Sequence, residues 1–242
     1  MSAPGYYKTN YRAFSVRDVV RMRGWLRLPL TYWITRFKKP NPAGWMPETW
    51  AELECKEEEL SAEFFQAAEP YRQAFKRLGF SEVGFKKLKR VMSRLHRDSG
   101  GINFLDGGGR HYAQLRYVKL HVPAPINRDR KTVVVSFTAV FGEKTVSYTN
   151  QKKTWFGPVP NHETVRVASD DVAVIHQAFV EHLKRQKEEP RSFPDLQLLQ
   201  SWFDSDKREV FEHRVRRGYF IRMSDDEVAA VRGKMPPVLP NR

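Results

Sequence analysis

Two clusters of residues in this sequence are suited to holding an anionic surface. In the first, Arg21, Arg23, Arg27, Arg36, Lys38 and Lys39 border Trp25, Leu30, Trp33, Ile34 and Phe37. Basic side chains around an aromatic-rich apolar stripe describe an interfacial helix that lies on anionic lipid, with tryptophan at headgroup depth. The same stripe can instead dock on the protein's own sheet or on a partner protein. The second cluster is Lys86-Lys87-Leu88-Lys89-Arg90 with Arg94 and Arg97. It can contact phosphates in a salt-dependent way, or form a solvated strand or helix whose long side chains snorkel to water. No zinc finger, ribonucleoprotein aromatic motif or glycine-turned helix pair accompanies it, so nucleic-acid binding rests on charge alone.

Other chemistry-bearing residues read as structural. Asp106-Gly107-Gly108-Gly109-Arg110 lacks the Gly-Lys-Ser/Thr ending of a phosphate loop and does not lead from strand to helix, so a hairpin turn is expected. His176 and His182 fall on different faces of one helix. His111 and His121 are about 33 Å apart at strand rise, so neither pair chelates one ion. His96 and Asp98 could form an acid–base pair beside Gly100-Gly101, although Asp-Ser-Gly also suits a turn. Cys55 lies among carboxylates that raise a thiol pKa, which makes an inert cysteine the expectation. Glu57-Glu58-Glu59 reads as a solvated helix face or as an acidic cover over a basic surface.

Composition narrows the class. The chain has 242 residues, 40% of them hydrophobic and 29% charged, which suits a folded protein of one large domain with arms. Its formal charge is +14, and such an excess favours anionic partners without specifying a fold. The charge is uneven. Residues 1–47 hold nine basic side chains against one acidic, whereas 48–69 hold one against eight. A single cysteine excludes an internal disulfide and any Cys/His zinc framework, so no metal and no cofactor is expected. The N-terminus lacks the apolar core and cleavage site of a secretory signal. The stretch from Trp25 to Phe37 is interrupted by Arg27, Pro29 and Arg36 and falls short of the ~20 residues of a spanning helix. A cytoplasmic protein is expected, with a peripheral position at the inner face of the membrane if the aromatic arm binds lipid.

The elements that would position these residues follow from local signals. Ser15 and Asp18 form a capping box, with Phe14 and Val19 as a staple, for a helix ending near Gly24. A second helix starts at Pro29 and carries the Leu30, Trp33, Ile34, Phe37 stripe. The run 39–44 reads as a linker. Residues 48–79 read as helical, with Pro70 opening a fresh turn and Gly79 closing it. The region 84–97 is ambiguous, leaning to strand. Residues 102–149 read as an antiparallel meander in which Val133, Val135, Phe137, Ala139 and Phe141 share a buried face. Glu163 to Val167 adds a strand. Ser169 to Asp171 open a helix with Val172, Ile175, Phe179 and Leu183 inward, and 191–242 reads as short helices over 194–203 and 206–217 and after Ser224.

Leu78-Gly79-Phe80, the strand Val135 to Phe141, Thr145 to Asn150, a Pro158/Pro160 loop and the helix with His176 together resemble conserved, uncharacterised bacterial proteins over residues 70–188. That resemblance implies a compact α+β module and no activity. The expected architecture is α+β. A mainly antiparallel sheet of four or five strands has helices on one face (48–190), flanked by a basic helical arm (1–47) and a helical extension (191–242). The expected function is a non-enzymatic binding module for an anionic membrane surface or a partner protein, acting through Arg21 to Lys39. The alternatives are nucleic-acid binding through 86–97, and an enzyme whose cleft is lined by residues such as His96, Asp98, His111 and Arg116. Whether the face of Trp25, Trp33 and Phe37 is exposed discriminates among these, because contiguous apolar surface is seldom left bare without use.

Overall fold

A computed structural model describes residues 6–23, 28–37, 41–47, 54–87, 96–122, 127–151, 157–194 and 196–232. In chain order the strands are β1 (Tyr6–Thr9), β2 (Asn41–Pro47), β3 (Glu54–Cys55), β4 (Phe80–Lys86), β5 (His96–Asp106), β6 (Tyr112–Val122), β7 (Arg128–Phe141), β8 (Lys144–Thr149), β9 (His162–Arg166) and β10 (Phe220–Arg222). The helices are α1 (Val16–Arg23), α2 (Leu28–Phe37), α3 (Ala62–Arg77), α4 (Val172–Leu183), α5 (Leu196–Arg216) and α6 (Asp225–Arg232). Strands β3 to β9 form one seven-stranded sheet in sequential order, antiparallel throughout except for the parallel pair β8–β9.

The chain is thus mixed helix and strand around a large sheet, but the sheet has seven strands where four or five were expected. The undercount has two sources. β3 is only two residues long and lies in an acidic segment that reads as helix. β4 begins at Phe80, directly after the Gly79 that ends the preceding helix, so four of its seven residues precede the ambiguous 84–97 region.

One face of this sheet holds the main core. Val135, Phe137, Ala139 and Phe141 of β7 point there with Ala113, Leu115 and Tyr117 of β6 and Ile102 and Phe104 of β5. α3 and α4 cover them through Phe64, Ala68, Phe75, Ile175 and Phe179. Phe75 stacks on Phe104 at 4.3 Å between ring centres, and Phe137 lies 5.8 Å from Phe179. Burying each such ring contributes about 2 to 3 kcal/mol. Ser61 caps α3 by accepting from the Phe64 amide at 3.0 Å, and Gly79 at φ +82° turns the chain into β4. Pro70 lies inside one continuous α3 instead of opening a new helix. The backbone bond it removes is offset by Ala68 and Phe75, buried on either side of it. α3 sits close to the sheet because Gly100 has no side chain: a Cβ there would lie 2.4 Å from the Phe64 ring.

The opposite face is partly covered as well, so helices do not pack on one side only. Tyr112 and Val140 point outward from the main core, and Phe193, Leu199, Trp202 and Phe203 pack over them. The chain crosses to this face at the β5–β6 turn. The Phe193 amide donates to the Gly109 carbonyl at 2.8 Å, and the Arg191 amide donates to the Val140 carbonyl at 2.7 Å. Gly109 has φ +64°, and a Cβ on it would meet the Phe193 carbonyl at 2.6 Å. The glycine run is therefore a hairpin turn that also seats the segment leading into α5. α5 is one helix of 21 residues where two were expected. Asp204-Ser205-Asp206 resembles a break, yet Asp206 stays helical with its carboxylate engaged by His162 and Thr145 of the sheet.

The two ends of the chain meet in a second, three-stranded sheet of order β10-β1-β2. The expected linker is strand β2 from Asn41 onward, and Pro42 and Pro47 are tolerated because β2 is an edge strand. The Ser15–Asp18 capping box is present, with the Ser15 amide donating to Asp18 Oδ2 at 2.9 Å. Asp18 also accepts from the Tyr219 hydroxyl at 2.9 Å, and Phe14 stacks on Tyr219 at 5.0 Å. Ser224 and Glu227 form the corresponding capping box on α6.

Candidate functional site: an outward-facing aromatic helix

α2 presents three residues of its apolar stripe outward. Leu30, Trp33 and Phe37 are 66%, 62% and 67% exposed, and the Trp33 and Phe37 rings lie 5.1 Å apart. The helix is held from its other side by Tyr32, which packs on the cluster of Phe14, Val19 and Tyr219. The Arg36 guanidinium donates to the Tyr32 hydroxyl at 2.7 Å and lies over its ring, so a cation flanks the stripe at the helix end. An amphipathic helix ordinarily turns its apolar stripe to the core. Here Tyr32 packs inward while Leu30, Trp33 and Phe37 are left to solvent.

Of the remaining residues in the first cluster, Arg21 and Arg23 end α1, and their side chains are not among those described. Trp25, Arg27, Lys38 and Lys39 lie outside the described residues. Exposed Arg12 and Arg17 and half-exposed Val16 extend the basic and apolar surface of this end of the chain. Among the described residues no helix is long and apolar enough to cross a membrane.

The second cluster is only partly in view. Lys86 ends β4 and Lys87 follows it, its ammonium donating to the Glu59 carbonyl. Lys89, Arg90 and Arg94 lie outside the described residues. Of the residues suggested for a catalytic cleft, the side chain of His96 is not among those described, and the other three are spread apart. Asp98 accepts from Ser61 near the start of α3, His111 sits on Asp106 at 2.9 Å in the β5–β6 turn, and Arg116 donates to Gln151 on the opposite sheet face from Asp98. No group of three or more potential metal ligands occurs among the described residues. Burial raises the Cys55 thiol pKa and Glu59 raises it further, which suits an inert thiol.

Three constellations have no local signal in the sequence. Glu63 accepts from Lys119 at 2.8 Å and pairs with Lys131 at 2.8 Å; their hydrogen bonds hold its carboxyl down at about 2. Above them, burial and the charges of Glu63 and Asp98 push the Tyr117 phenol up to about 12. His162 binds Asp206 at 2.7 Å through Nε2 and the Pro160 carbonyl at 2.7 Å through Nδ1. Lys207 lies beside Lys86, and burial and the Lys86 charge push it down to about 8. Each joins residues far apart in the chain with no fixed spacing, so only the tertiary structure reveals them.

Comparison with protein-family models, with curated proteins and with solved structures returns no match. The fold and the α2 surface alone describe the class: a basic α+β protein with an aromatic helix turned to solvent.

Proposed function

We propose that this protein is a non-enzymatic binding module that associates peripherally with an anionic membrane surface through α2. The observation that carries this reading is the joint exposure of Leu30, Trp33 and Phe37 on one helix face. Contiguous apolar side chains cost free energy in water and gain it in the acyl boundary of a bilayer, and tryptophan favours the headgroup level. The surrounding charge supports lipid over a neutral protein groove. Residues 1–47 carry nine basic side chains against one acidic, and each Lys or Arg near an anionic leaflet contributes about 1 kcal/mol.

Flotation with phosphatidylcholine vesicles, with and without phosphatidylserine, tests this. The full chain floats with the anionic vesicles, and the Trp33→Ser/Phe37→Ser variant stays at the bottom with unchanged circular dichroism. Equal recovery of the two proteins on anionic vesicles refutes the reading. Because these side chains make little contact within the protein, their replacement leaves stability within about 0.5 kcal/mol.

A further inference from the structure

The outer face of the seven-stranded sheet contains a cleft with a strip of cations leading out of it. The cleft is about 550 Å³ and lies between β3, β4, β5 and β6 on one side and the first turns of α5 on the other. Its floor is Gly84, Asn103 and Tyr112, its apolar walls include Val83 and Phe203, and Gln197 and Gln200 edge it. Asn103 is only 7% exposed. Its Oδ1 accepts from the Tyr112 hydroxyl and from Gln114 Nε2, while its Nδ2 donates to no residue among those described. That amide faces the bare Cα of Gly84, where an added Cβ would stand 3.9 Å from it. That amide opens to the cleft, so an acceptor placed there can take its hydrogen bond.

Strand register places the cations. Lys86 pairs with Gly101 and Gly101 with Arg116, so Lys86 and Arg116 flank a glycine on the same face as Asn103, one step further along the strands. Arg130 and Arg128 continue on that face, paired with Leu120 and Val122. Alternate residues on a strand are about 6.8 Å apart, which is the step from Arg128 to Arg130; Arg130 pairs with Leu120, so its row lies two such steps from that of Arg116, with Val118 and Thr132 between them. On the inner face Lys119 and Lys131 are neutralised by Glu63 and Asp129. On the outer face Arg128 and Arg130 have no carboxylate partner among the described residues, and Arg116 meets only the Gln151 amide. Lys207 adds a second ammonium beside Lys86 and lies 5.7 Å from the ring of Phe203, at the cleft edge. Two crowded ammonium groups, with Glu54 and Asp204 as their carboxylate neighbours, gain from an anion placed between them.

We infer that this face binds single-stranded nucleic acid, with one base in the Asn103 cleft and the backbone phosphates along Lys86, Arg116, Arg130 and Arg128. A base offers an acceptor to the Asn103 amide, and the wall of Phe203 and Val83 suits its faces. A duplex keeps its bases stacked and cannot fill the cleft. Among the described residues, none of the exposed large apolar side chains lies on β4 to β7, which distinguishes this strip from α2.

Fluorescence polarisation of the full-length protein with a labelled, mixed-sequence single-stranded RNA tests the inference. Inorganic polyphosphate and a duplex of the same length serve as competitors. The single strand is expected to bind best, with affinity falling steeply with salt. Arg128→Glu/Arg130→Glu, two surface changes that leave the fold intact, weakens RNA and polyphosphate alike by about tenfold or more and lowers the salt slope by about 1 per arginine. Asn103→Asp keeps the acceptor for Tyr112 and Gln114 but replaces the free donor, and weakens RNA more than polyphosphate. Polyphosphate or duplex binding as tight as the single strand overturns the inference, as does RNA affinity unchanged in both variants. Loss of anionic-vesicle binding in Arg128→Glu/Arg130→Glu without any RNA binding also overturns it, and assigns the strip to lipid. Neither variant touches α2, so the outcome is independent of the flotation result.

Discussion

The Tyr219 hydroxyl donates to the Asp18 carboxylate at 2.9 Å, joining residues 201 positions apart in the chain. Asp18 is also the partner of Ser15 in the α1 capping box, so one buried carboxylate both starts a helix and ties it to the C-terminal segment. Burial opposes its charge, but the hydrogen bonds from Ser15 and Tyr219 prevail and hold its pKa below the ordinary value.

Tyr219→Phe removes one bond to a charged acceptor and is expected to cost about 1.5 to 3 kcal/mol in urea unfolding. Asp18→Ala costs more, because the cap is lost with it. Since the folded-state pKa is depressed, the stability that Asp18 contributes is present above the ordinary aspartate value and is lost as pH falls through the folded one. The difference between wild type and Asp18→Ala therefore narrows in acid.

Three glycines separate close packing from simple turn chemistry. Gly100→Ala drives a methyl to 2.4 Å from the Phe64 ring, and neither α3 nor the strand can retreat without opening the core. A loss of about 1 to 3 kcal/mol is expected. Gly109→Ala meets both the Phe193 carbonyl and a positive φ, and should loosen the 191–203 segment from the outer face. Gly107→Ala has nothing within 4 Å and serves as the control. Thermal unfolding of the three variants should rank Gly107→Ala nearest wild type.

How much of this was legible in the sequence depended on the range of the interaction. Ser15 with Asp18, and Ser224 with Glu227, are three residues apart, and their capping boxes are present. The β7 alternation and the Asp171 cap of α4 were equally local. β1 and β2 were missed because each is stabilised by its neighbours in the second sheet, and β2 carries prolines that argue against a strand. The α2 stripe shows in its period, but its direction does not. Tyr32 packs on the cluster of Phe14, Val19 and Tyr219, and no periodicity encodes that contact. The Asn103 cleft was invisible for a similar reason. Gly84, Asn103 and Gln114 form a row only through the registers of β4, β5 and β6, with Arg116 in the next.

Lys207 is expected to be an unusually nucleophilic lysine. With burial and Lys86 holding its pKa down at about 8, a large share of its amine is neutral in mildly basic buffer, where ordinary lysines are almost fully protonated. Limited acylation followed by peptide mapping should modify Lys207 ahead of exposed lysines such as Lys56. Lys86→Met removes one of the two main causes and leaves burial in place, so it slows the reaction only in part. Modification of Lys207 no faster than Lys56 would contradict the crowded ammonium pair.

His162 makes the attachment of α5 to the sheet dependent on pH. Its Nδ1 faces the Pro160 carbonyl and its Nε2 the Asp206 carboxylate, so both nitrogens face acceptors and the doubly protonated ring fits best. Burial acts to lower its pKa, but Asp206, the Pro160 carbonyl and the more distant Glu209 outweigh it and hold the value above 6.5. Thr145 donates to the same Asp206 oxygen, and Lys144 and Glu163 next to it neutralise each other at 2.7 Å. A raised folded-state pKa means that the contact contributes fully below the unfolded histidine value and is lost as pH rises through the folded one. Wild type should lose about 1 to 2 kcal/mol relative to His162→Gln between mildly acidic and mildly basic buffer. Asp206→Asn should flatten the wild-type profile in the same range. A constant difference between wild type and His162→Gln across that range would mean that the ring keeps one protonation state throughout it, and that pH does not govern the contact between His162 and Asp206.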